Sequence, residues 1–216
     1  MRIRIAKPSD SNAIAEIHYA SREKLAKGFF SQVTKSFLIN YYKVLLNDPN
    51  SVVVCAEAKN GVICGFASGT LDAEKQFENL GRHKFRLAIA LLPTIFFRPQ
   101  IIGEALSRYI STRKNNENVD KYVSVTGPRT EYWVWDARYG SSIWAGVLNN
   151  AHLHIMLILG VKSVCFEVDQ DNHSVVKFSK GNGAEVVEII SLKDGRTRLI
   201  MKYDLVKKFG RKSVVR

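Results

Sequence analysis

The stretch from Glu131 to Ala184 constrains the fold more than any other part of the chain, because two strand patterns flank one helix pattern. Tyr132–Trp135 is aromatic and β-branched, which is typical of a buried strand. Gly160 predicts the end of the helix, and Val161–Val168 predicts the second strand. A strand, a helix and a strand in this order predict a right-handed parallel βαβ unit.

The segment between these two strands has the periodicity of a helix. Ser141 and Ser142 are suited to cap its start. Its buried face is predicted from apolar residues that recur at helical spacing: Trp144, Val147, Leu148, Ala151, Ile155, Ile158 and Leu159. The free N–H groups and the positive dipole end at the start of such a helix favour a phosphate, so this turn is the predicted ligand site.

The remaining patterns place further strands and helices around this unit. Arg2–Ala6 predicts a strand, and Pro8-Ser9-Asp10 predicts a turn with a helix cap before a helix whose buried side includes Ile14, Ile17 and Leu25. Phe37 to Leu45 predicts a second helix. Two hairpins are predicted, one from Ser51–Glu57 and Val62–Leu71 and one from Glu185–Ile190 and Thr197–Tyr203.

Residues from about 73 to 116 leave the strand pattern and predict an insertion of helices. Within it, Leu87–Phe97 is apolar and residues 82–98 supply basic flanks, but the run is too short to span a bilayer. Three interpretations stay open: a helix packed on the domain with a solvated basic flank, a peripheral contact with a membrane or a lipid-linked substrate, and a homodimer interface.

The charge balance favours anionic partners. The chain has 32 Lys and Arg against 20 Asp and Glu, a net charge of +12. Phosphorylated cofactors, nucleotide-linked substrates and membrane surfaces fit this charge. Nucleic acid is not expected, because the basic residues are dispersed and form no known nucleic-acid motif.

Length and composition favour one domain, predicted at 1–205, followed by a solvated basic tail at 206–216. The start of the chain lacks the apolar core of a signal peptide, so a cytoplasmic protein is expected, with membrane-peripheral attachment as a variant. Cys55, Cys64 and Cys165 are predicted to be buried thiols. His152 and His154 do not face one another on a helix, so no metal site is predicted.

The order of the predicted elements resembles the GCN5-related N-acetyltransferase (GNAT) family over essentially the full chain. In that family a loop of the form Q/R-x-x-G-x-G/A follows the central strand, and Gly140 to Ala145 (GSSIWA) aligns with it, with only Ala145 conforming. The family's N-x-x-A-x-x-F-Y-x-x-x-G-F is similar to residues 172–184, where Asn172, Phe178 and Gly183 match and Ser179 replaces the Tyr. A looser likeness, including Gly65–Asp72, joins the chain to bacterial sugar acetyltransferases of surface-polysaccharide biosynthesis.

The resemblance implies an α/β fold: a mixed, strongly twisted central sheet flanked by helices, with a helical insertion after the third strand. It implies acetyl-CoA as co-substrate and no metal. The pyrophosphate would lie over the amides of Gly140, Ser141, Ser142, Ile143, Trp144 and Ala145, with further contacts from Asn172 and Phe178. A backbone N–H near Val134 or Trp135 would polarise the thioester.

The same resemblance implies proton-transfer roles. The candidate bases are the carboxylates Asp72, Glu74, Glu131 and Asp136. Ser179 stands at the position of the family's acid, and a water or Tyr139 would have to assist it. The implied acceptor is a small anionic molecule, such as the amine of a nucleotide- or lipid-linked amino sugar. The alternative is a non-catalytic module of the same fold that binds acyl-CoA or a protein partner.

Overall fold

The computed structural model describes residues 1–22, 29–97, 99, 102–103, 126–140, 142–192 and 195–210. The strands are β1 Arg2–Ile5, β2 Ser51–Glu57, β3 Ile63–Thr70, β4 Arg129–Trp135, β5 Ser163–Asp169, β6 Ala184–Ser191 and β7 Thr197–Asp204. The helices are α1 Ser11–Ser21, α2 Phe29–Gln32, α3 Lys35–Leu45, α4 Ala73–Arg82, α5 Lys84–Phe97, α6 Ser142–Ile158, α7 His173–Gly181 and α8 Leu205–Gly210. Short 3-10 turns occupy Pro8–Asp10 and Ala137–Tyr139.

The strands form one 7-stranded sheet in the order β1-β2-β3-β4-β5-β7-β6. β4 and β5 run parallel, and the other neighbours are antiparallel. The predicted mixed α/β fold and its βαβ unit are therefore confirmed, as are both hairpins. The helices of the predicted insertion, α4 and α5, follow the third strand.

Helices cover both faces of the sheet. On β2, Val53 and Cys55 pack into one cluster with α1, α3 and α5, while Val54 and Ala56 pack into another with Leu148 of α6. All of β3 is buried, which is expected of a central strand with both faces covered. A third cluster joins α6 to β5, β7 and α8.

The prediction for the buried face of α6 was wrong. The buried residues are Ala145, Leu148, Asn149, His152, Leu153 and Met156, whereas Trp144, Val147, Ile158 and Leu159 are exposed. Of the predicted face, Leu148 is buried, and Ile155 is half-buried and packs on two of the core clusters. Hydrophobicity misplaced this face because His152 points inward, where its Nε2 lies 3.0 Å from the carbonyl oxygen of Val52 and its ring lies over Gly69.

Two predictions at the chain ends also differ from the structure. The carboxylate of Asp10 does not cap α1; it accepts hydrogen bonds from the backbone N–H of Lys7 at 2.6 Å and from Nη1 of Arg4 at 2.7 Å. Residues 206–210 belong to α8 and pack on the domain, where the ring of Phe209 stacks 4.9 Å from that of His154. Leu25, most of the insertion after Phe97 and residues 211–216 lie outside the described residues.

The cysteines are free thiols, as predicted. Cys55 and Cys64 are buried, and Cys165 is half-buried. Burial raises the pKa of the Cys55 thiol to about 11, so this group stays protonated and unreactive at neutral pH.

Two buried histidines make stability depend on pH. Burial lowers the pKa of His18 to about 3 and that of His152 to about 4, from an ordinary value of 6.5. At pH values between these folded pKa values and 6.5, the unfolded chain binds protons that the folded chain does not. The stabilisation is therefore complete above the unfolded pKa and is lost as the pH falls toward the folded values.

We predict that His152→Gln removes part of this pH dependence. Between about pH 6 and about pH 5, each of the two histidines should lower the free energy of unfolding of the native protein by about 1 kcal/mol. Urea denaturation at both pH values measures the fall, which should be smaller in His152→Gln. His154→Gln, which alters an exposed histidine of the same helix, is the control and should keep the full fall. An identical fall in both variants would contradict the assignment.

Candidate active site

β4 and β5 part after a single paired position. Their parallel pairing is confined to Arg129 and Cys165, although each strand has 7 residues. On its other edge, β4 stays paired with β3 as far as Trp135. Beyond Arg129, the edge of β4 that faces β5 therefore has no ladder partner in β5. The space between the two strands from this point to their carboxyl ends is called the opening.

The register of β3 and β4 decides which backbone N–H groups face this opening. The N–H of Asp136 donates to the carbonyl of Cys64 at 2.8 Å, and Val134 lies opposite Phe66. Because the bonds of an antiparallel ladder alternate, the N–H of Val134 points to β3 and that of Trp135 points toward the opening. Of the two positions predicted for a polarising N–H, the register favours Trp135.

The start of α6 lies beyond the carboxyl end of β4, across a short turn. Asp136 holds this turn, because its Oδ1 accepts the backbone N–H of Arg138 at 3.0 Å. Helix α6 begins at Ser142, and the N–H groups of a first helical turn have no partner within their helix. The side chain of Ile143 is 73% exposed and is directed to solvent. Ser141 lies outside the described residues.

Gly140 explains one departure from the family pattern. Its φ of 101° and ψ of −158° belong to a region that only glycine occupies without strain. An Arg or Gln, the residues of the family at this position, would be strained in this turn. The connection between β4 and α6 therefore has a backbone conformation that requires glycine at position 140.

Aromatic side chains join β4, α6 and α7 beside the opening. The indole Nε1 of Trp133 donates to the carbonyl of Ala145 at 2.8 Å, and its ring lies 4.8 Å from that of Phe178. A Cβ on Gly146 would lie 3.2 Å from Phe178, so this glycine permits the close approach of α6 and α7. Asn172 caps α7, since its Oδ1 accepts the N–H of Val175 at 3.3 Å.

Sequence reasoning missed Tyr203, which lies beside Ser179. The phenol of Tyr203, on β7, lies beside the side chains of Ser179 and Asn149, and its oxygen makes no hydrogen bond of ordinary geometry with any described residue. Burial raises the pKa of Tyr203, which keeps its proton in place. No motif marks this tyrosine, because its position reads as one more core residue of a strand.

Glu131 lies on the other face of the sheet, at an irregularity of β4. The register with β3 shifts between Ala67 and Gly69, so β4 carries an extra residue there. Oε1 of Glu131 accepts Nη2 of Arg129 at 2.8 Å, and Arg129 also donates to Oε1 of Gln76 at 2.8 Å. Among the described residues, Oε2 of Glu131 is buried and has no hydrogen-bond partner, which is an unusual state for a carboxylate oxygen.

The remaining predicted residues lie in different parts of the fold. Asp72 caps α4, where its Oδ1 accepts the N–H groups of Glu74 and Lys75 at 3.1 Å and 3.4 Å. Since Thr70 pairs with Arg129, Asp72 lies near the amino end of β4, away from the turn at Gly140. Tyr139 is 36% exposed, and the guanidinium of Arg138 lies 6.0 Å from its ring centre.

Within the described part of the chain, no group of three or more His, Cys, Asp or Glu side chains is placed to hold a metal ion. None of the described helices has both the length and the apolar character needed to cross a membrane.

The whole chain is similar to solved structures of acetyltransferases. A ribosomal-protein-alanine N-acetyltransferase from Brucella melitensis has a TM-score of 0.58 at 14% identity, over 94% of this chain and 99% of its own. YncA from Salmonella typhimurium, a putative acetyltransferase solved with acetyl-CoA, has a TM-score of 0.56 at 16% identity, over 95% of this chain and 94% of its own. A GCN5-related N-acetyltransferase from Kribbella flavida has a TM-score of 0.57 at 11% identity, over 94% of this chain and 96% of its own.

No protein-family model and no curated protein matches the sequence. At such low identities the structural likeness shows the fold: this chain has the fold of the GNAT N-acetyltransferases, as its sequence predicted.

The strained turn gives a prediction for Gly140→Ala. No atom of the described residues lies within 4 Å of an added Cβ, so the cost comes from the backbone, and we expect the free energy of unfolding to fall by about 1–3 kcal/mol. Gly81→Ala in α4 is the matched control. Its Cβ also meets nothing, its backbone is helical, and we expect a gain of about 0.4–1 kcal/mol. Denaturant titration measures both, and equal effects would contradict the strain at Gly140.

Proposed function

We propose that this chain is an acetyl-CoA-dependent acetyltransferase that acetylates the amine of a small anionic acceptor, such as a nucleotide- or lipid-linked amino sugar. The observation that carries the proposal is the parting of β4 and β5 beside the start of α6. It combines a strand edge that has no ladder partner in β5 beyond Arg129 with a helix N-terminus, and these suit the two ends of one extended, phosphate-bearing molecule. The neighbour YncA, of the same fold, was solved with acetyl-CoA.

The phosphates would bind at the first turn of α6. The N–H groups of Ser142, Ile143, Trp144 and Ala145 belong to this turn, and the dipole of a 17-residue helix adds to their attraction for an anion. The exposure of the Ile143 side chain leaves the space above these amides to the ligand. The residues present therefore fit a pyrophosphate, although the family's glycines are absent.

The activated acetyl group would lie along β4. Acetyl-CoA supplies a thioester, which is reactive toward an amine. The backbone N–H of Trp135 would orient and polarise its carbonyl, because this N–H faces the opening and has no partner in β3. Phe178 and Ser179 of α7 would line the other side of the opening.

Glu131 is the carboxylate that we assign to proton removal from the acceptor amine. It lies on the strand that borders the opening, and its unpaired Oε2 can accept a hydrogen bond from an amine. Asp72 and Asp136 have structural roles as helix or turn caps, which explains their presence without chemistry. Glu74 is exposed on α4.

Tyr203 is the group that we assign to protonation of the leaving thiolate, through Ser179. A serine hydroxyl is too weak an acid for this role, whereas it can accept a proton from a phenol and donate its own. The side chains of Tyr203 and Ser179 lie close together without an ordinary hydrogen bond, and a rotation of their hydroxyl groups would complete such a relay. Tyr139, the tyrosine that the sequence suggested for this role, lies in the exposed turn before α6 and is compared with Tyr203 below.

The acceptor class is inferred from the charge of the chain. A net charge of +12 favours an anionic acceptor. The glycines of the Gly65–Asp72 segment have a structural explanation: a Cβ on Gly65 would lie 2.8 Å from the carbonyl oxygen of Val134, and one on Gly69 would lie 2.6 Å from that of Arg129. Close strand packing thus accounts for this part of the likeness to sugar acetyltransferases.

Calorimetry with acetyl-CoA tests the proposal directly. We expect binding, and release of free CoA when an amino sugar is added, whether free, nucleotide-linked or lipid-linked. No binding at millimolar acetyl-CoA would overturn the proposal. Binding without release across the panel would instead support a non-catalytic acyl-CoA-binding module.

Ser142→Pro tests the position of the phosphates. It removes one N–H from the first turn of α6, at a helix position where proline is well tolerated. We expect acetyl-CoA affinity to fall about 10-fold to 100-fold, with the fold retained, as for the loss of one hydrogen bond to a charged group. Lys35→Pro, at the first position of α3 on the opposite face, is the matched control and should bind normally. Equal affinities would mean that the phosphates bind elsewhere.

The proton-transfer roles predict the kinetics of two variants. Glu131→Gln and Tyr203→Phe should each lower kcat by about 100-fold or more, with little change in the affinity for acetyl-CoA. A thiol reagent that follows CoA release measures this, and circular dichroism verifies the fold. Tyr139→Phe should retain kcat; a larger loss in Tyr139→Phe than in Tyr203→Phe would reverse the assignment of the acid.

A further inference from the structure

Helix α5 carries an apolar face that the described residues of the domain leave uncovered. Phe85, Ile89, Leu92 and Phe96 follow one another at the spacing of a helical face, and their exposed fractions are 75%, 68%, 58% and 82%. Together with Phe97, which is 76% exposed, they are called the α5 apolar face. From Ala88 to Phe97 every exposed residue is apolar. Monomeric soluble domains rarely expose such a contiguous surface without a partner.

The opposite side of α5 is firmly packed, so the exposed face does not result from a loosely attached helix. Ala90 is buried, and Leu87, Leu91 and Ile95 pack on the cluster that includes Phe37 and Leu38 of α3. Oγ1 of Thr94 accepts the backbone N–H of Thr34 at 3.1 Å. The helix is therefore held in a set orientation, with the α5 apolar face directed outward.

The charges on α5 and on the residues next to it in the sequence have one sign. Arg82, His83, Lys84 and Arg86 are exposed at its amino end. The sequence contains no Asp or Glu from Asn79 to Gly103. A basic cluster next to an apolar surface is the composition of helices that lie in the interface of an anionic bilayer.

We propose that α5 seats this protein on an anionic lipid bilayer. The α5 apolar face enters the boundary between headgroups and acyl chains, and the basic amino end of the helix contacts lipid phosphates. A helix of 14 residues is about 21 Å long, too short to cross the hydrocarbon core and suited to lie along its surface.

Charge argues against a second copy of the chain as the occupant. Two copies that met through α5 would bring two basic amino ends to one interface, with no acidic residue of this segment to pair with them. Each copy also carries a net charge of +12, which opposes their association. An anionic bilayer supplies the complementary charge.

Flotation of the full chain with lipid vesicles tests the proposal. We expect binding to vesicles that contain phosphatidylglycerol, weaker binding to pure phosphatidylcholine, and a decrease with added salt. Ile89→Ser with Phe96→Ser should lower the partition coefficient at least tenfold. Ile158→Ser changes an isoleucine that is 71% exposed on α6 and should bind normally. Arg82→Gln with Lys84→Gln should abolish the preference for phosphatidylglycerol.

Two results would overturn the proposal. One is equal or absent binding to both kinds of vesicle. The other is a dimer, seen by sedimentation equilibrium, that Ile89→Ser with Phe96→Ser converts to monomers, since the α5 apolar face would then be a protein interface. All substituted side chains are exposed, and circular dichroism verifies the fold of each variant. Vesicle binding needs neither acetyl-CoA nor an acceptor, so its failure would leave the proposed transfer reaction untouched.

Discussion

The parting of β4 and β5 is the constraint on which the rest of the structure depends. Parallel strands normally pair along their length, yet here the ladder is limited to Arg129 and Cys165. The bond from Trp133 to the carbonyl of Ala145 ties β4 to the first turns of α6, and the contact of Trp133 with Phe178 ties it to α7. Contacts of Trp133 with α6 and α7 therefore hold β4 in place where it has no ladder bonds to β5.

The two faces of the sheet carry different candidate groups around this opening. The α6 and α7 side carries the N-terminus of α6 and the neighbouring side chains of Tyr203 and Ser179. The α1, α3 and α5 side carries the outward apolar helix. The buried network of Glu131, Arg129 and Gln76 reaches α4. The proposed base, Glu131, and the proposed acid, Tyr203, thus lie on opposite faces of the sheet, as a transfer reaction between them requires.

Much of the fold followed from periodicity and glycine placement, whereas less of the site did. The strand and helix order, the hairpin of β2 and β3 and the parallel unit were predictable because backbone hydrogen bonding and turn geometry are local. The buried face of α6 was not, because His152 gains a hydrogen bond from burial that no hydrophobicity pattern contains. Tyr203 was missed because it lies 24 residues beyond Ser179 and meets it only through the return of β7 beside β5.

By itself, the sequence determined the order of the elements, the turns and the presence of an apolar run with basic flanks, since these depend on neighbouring residues. Tertiary structure alone decided which side chains meet. Packing turned His152 inward and brought Tyr203 close to Ser179. The register of β3 and β4 directed the N–H of Trp135 toward the opening and that of Val134 toward β3. It also decided which half of α5 is buried, because only the position of α3 distinguishes the two apolar sides of that helix.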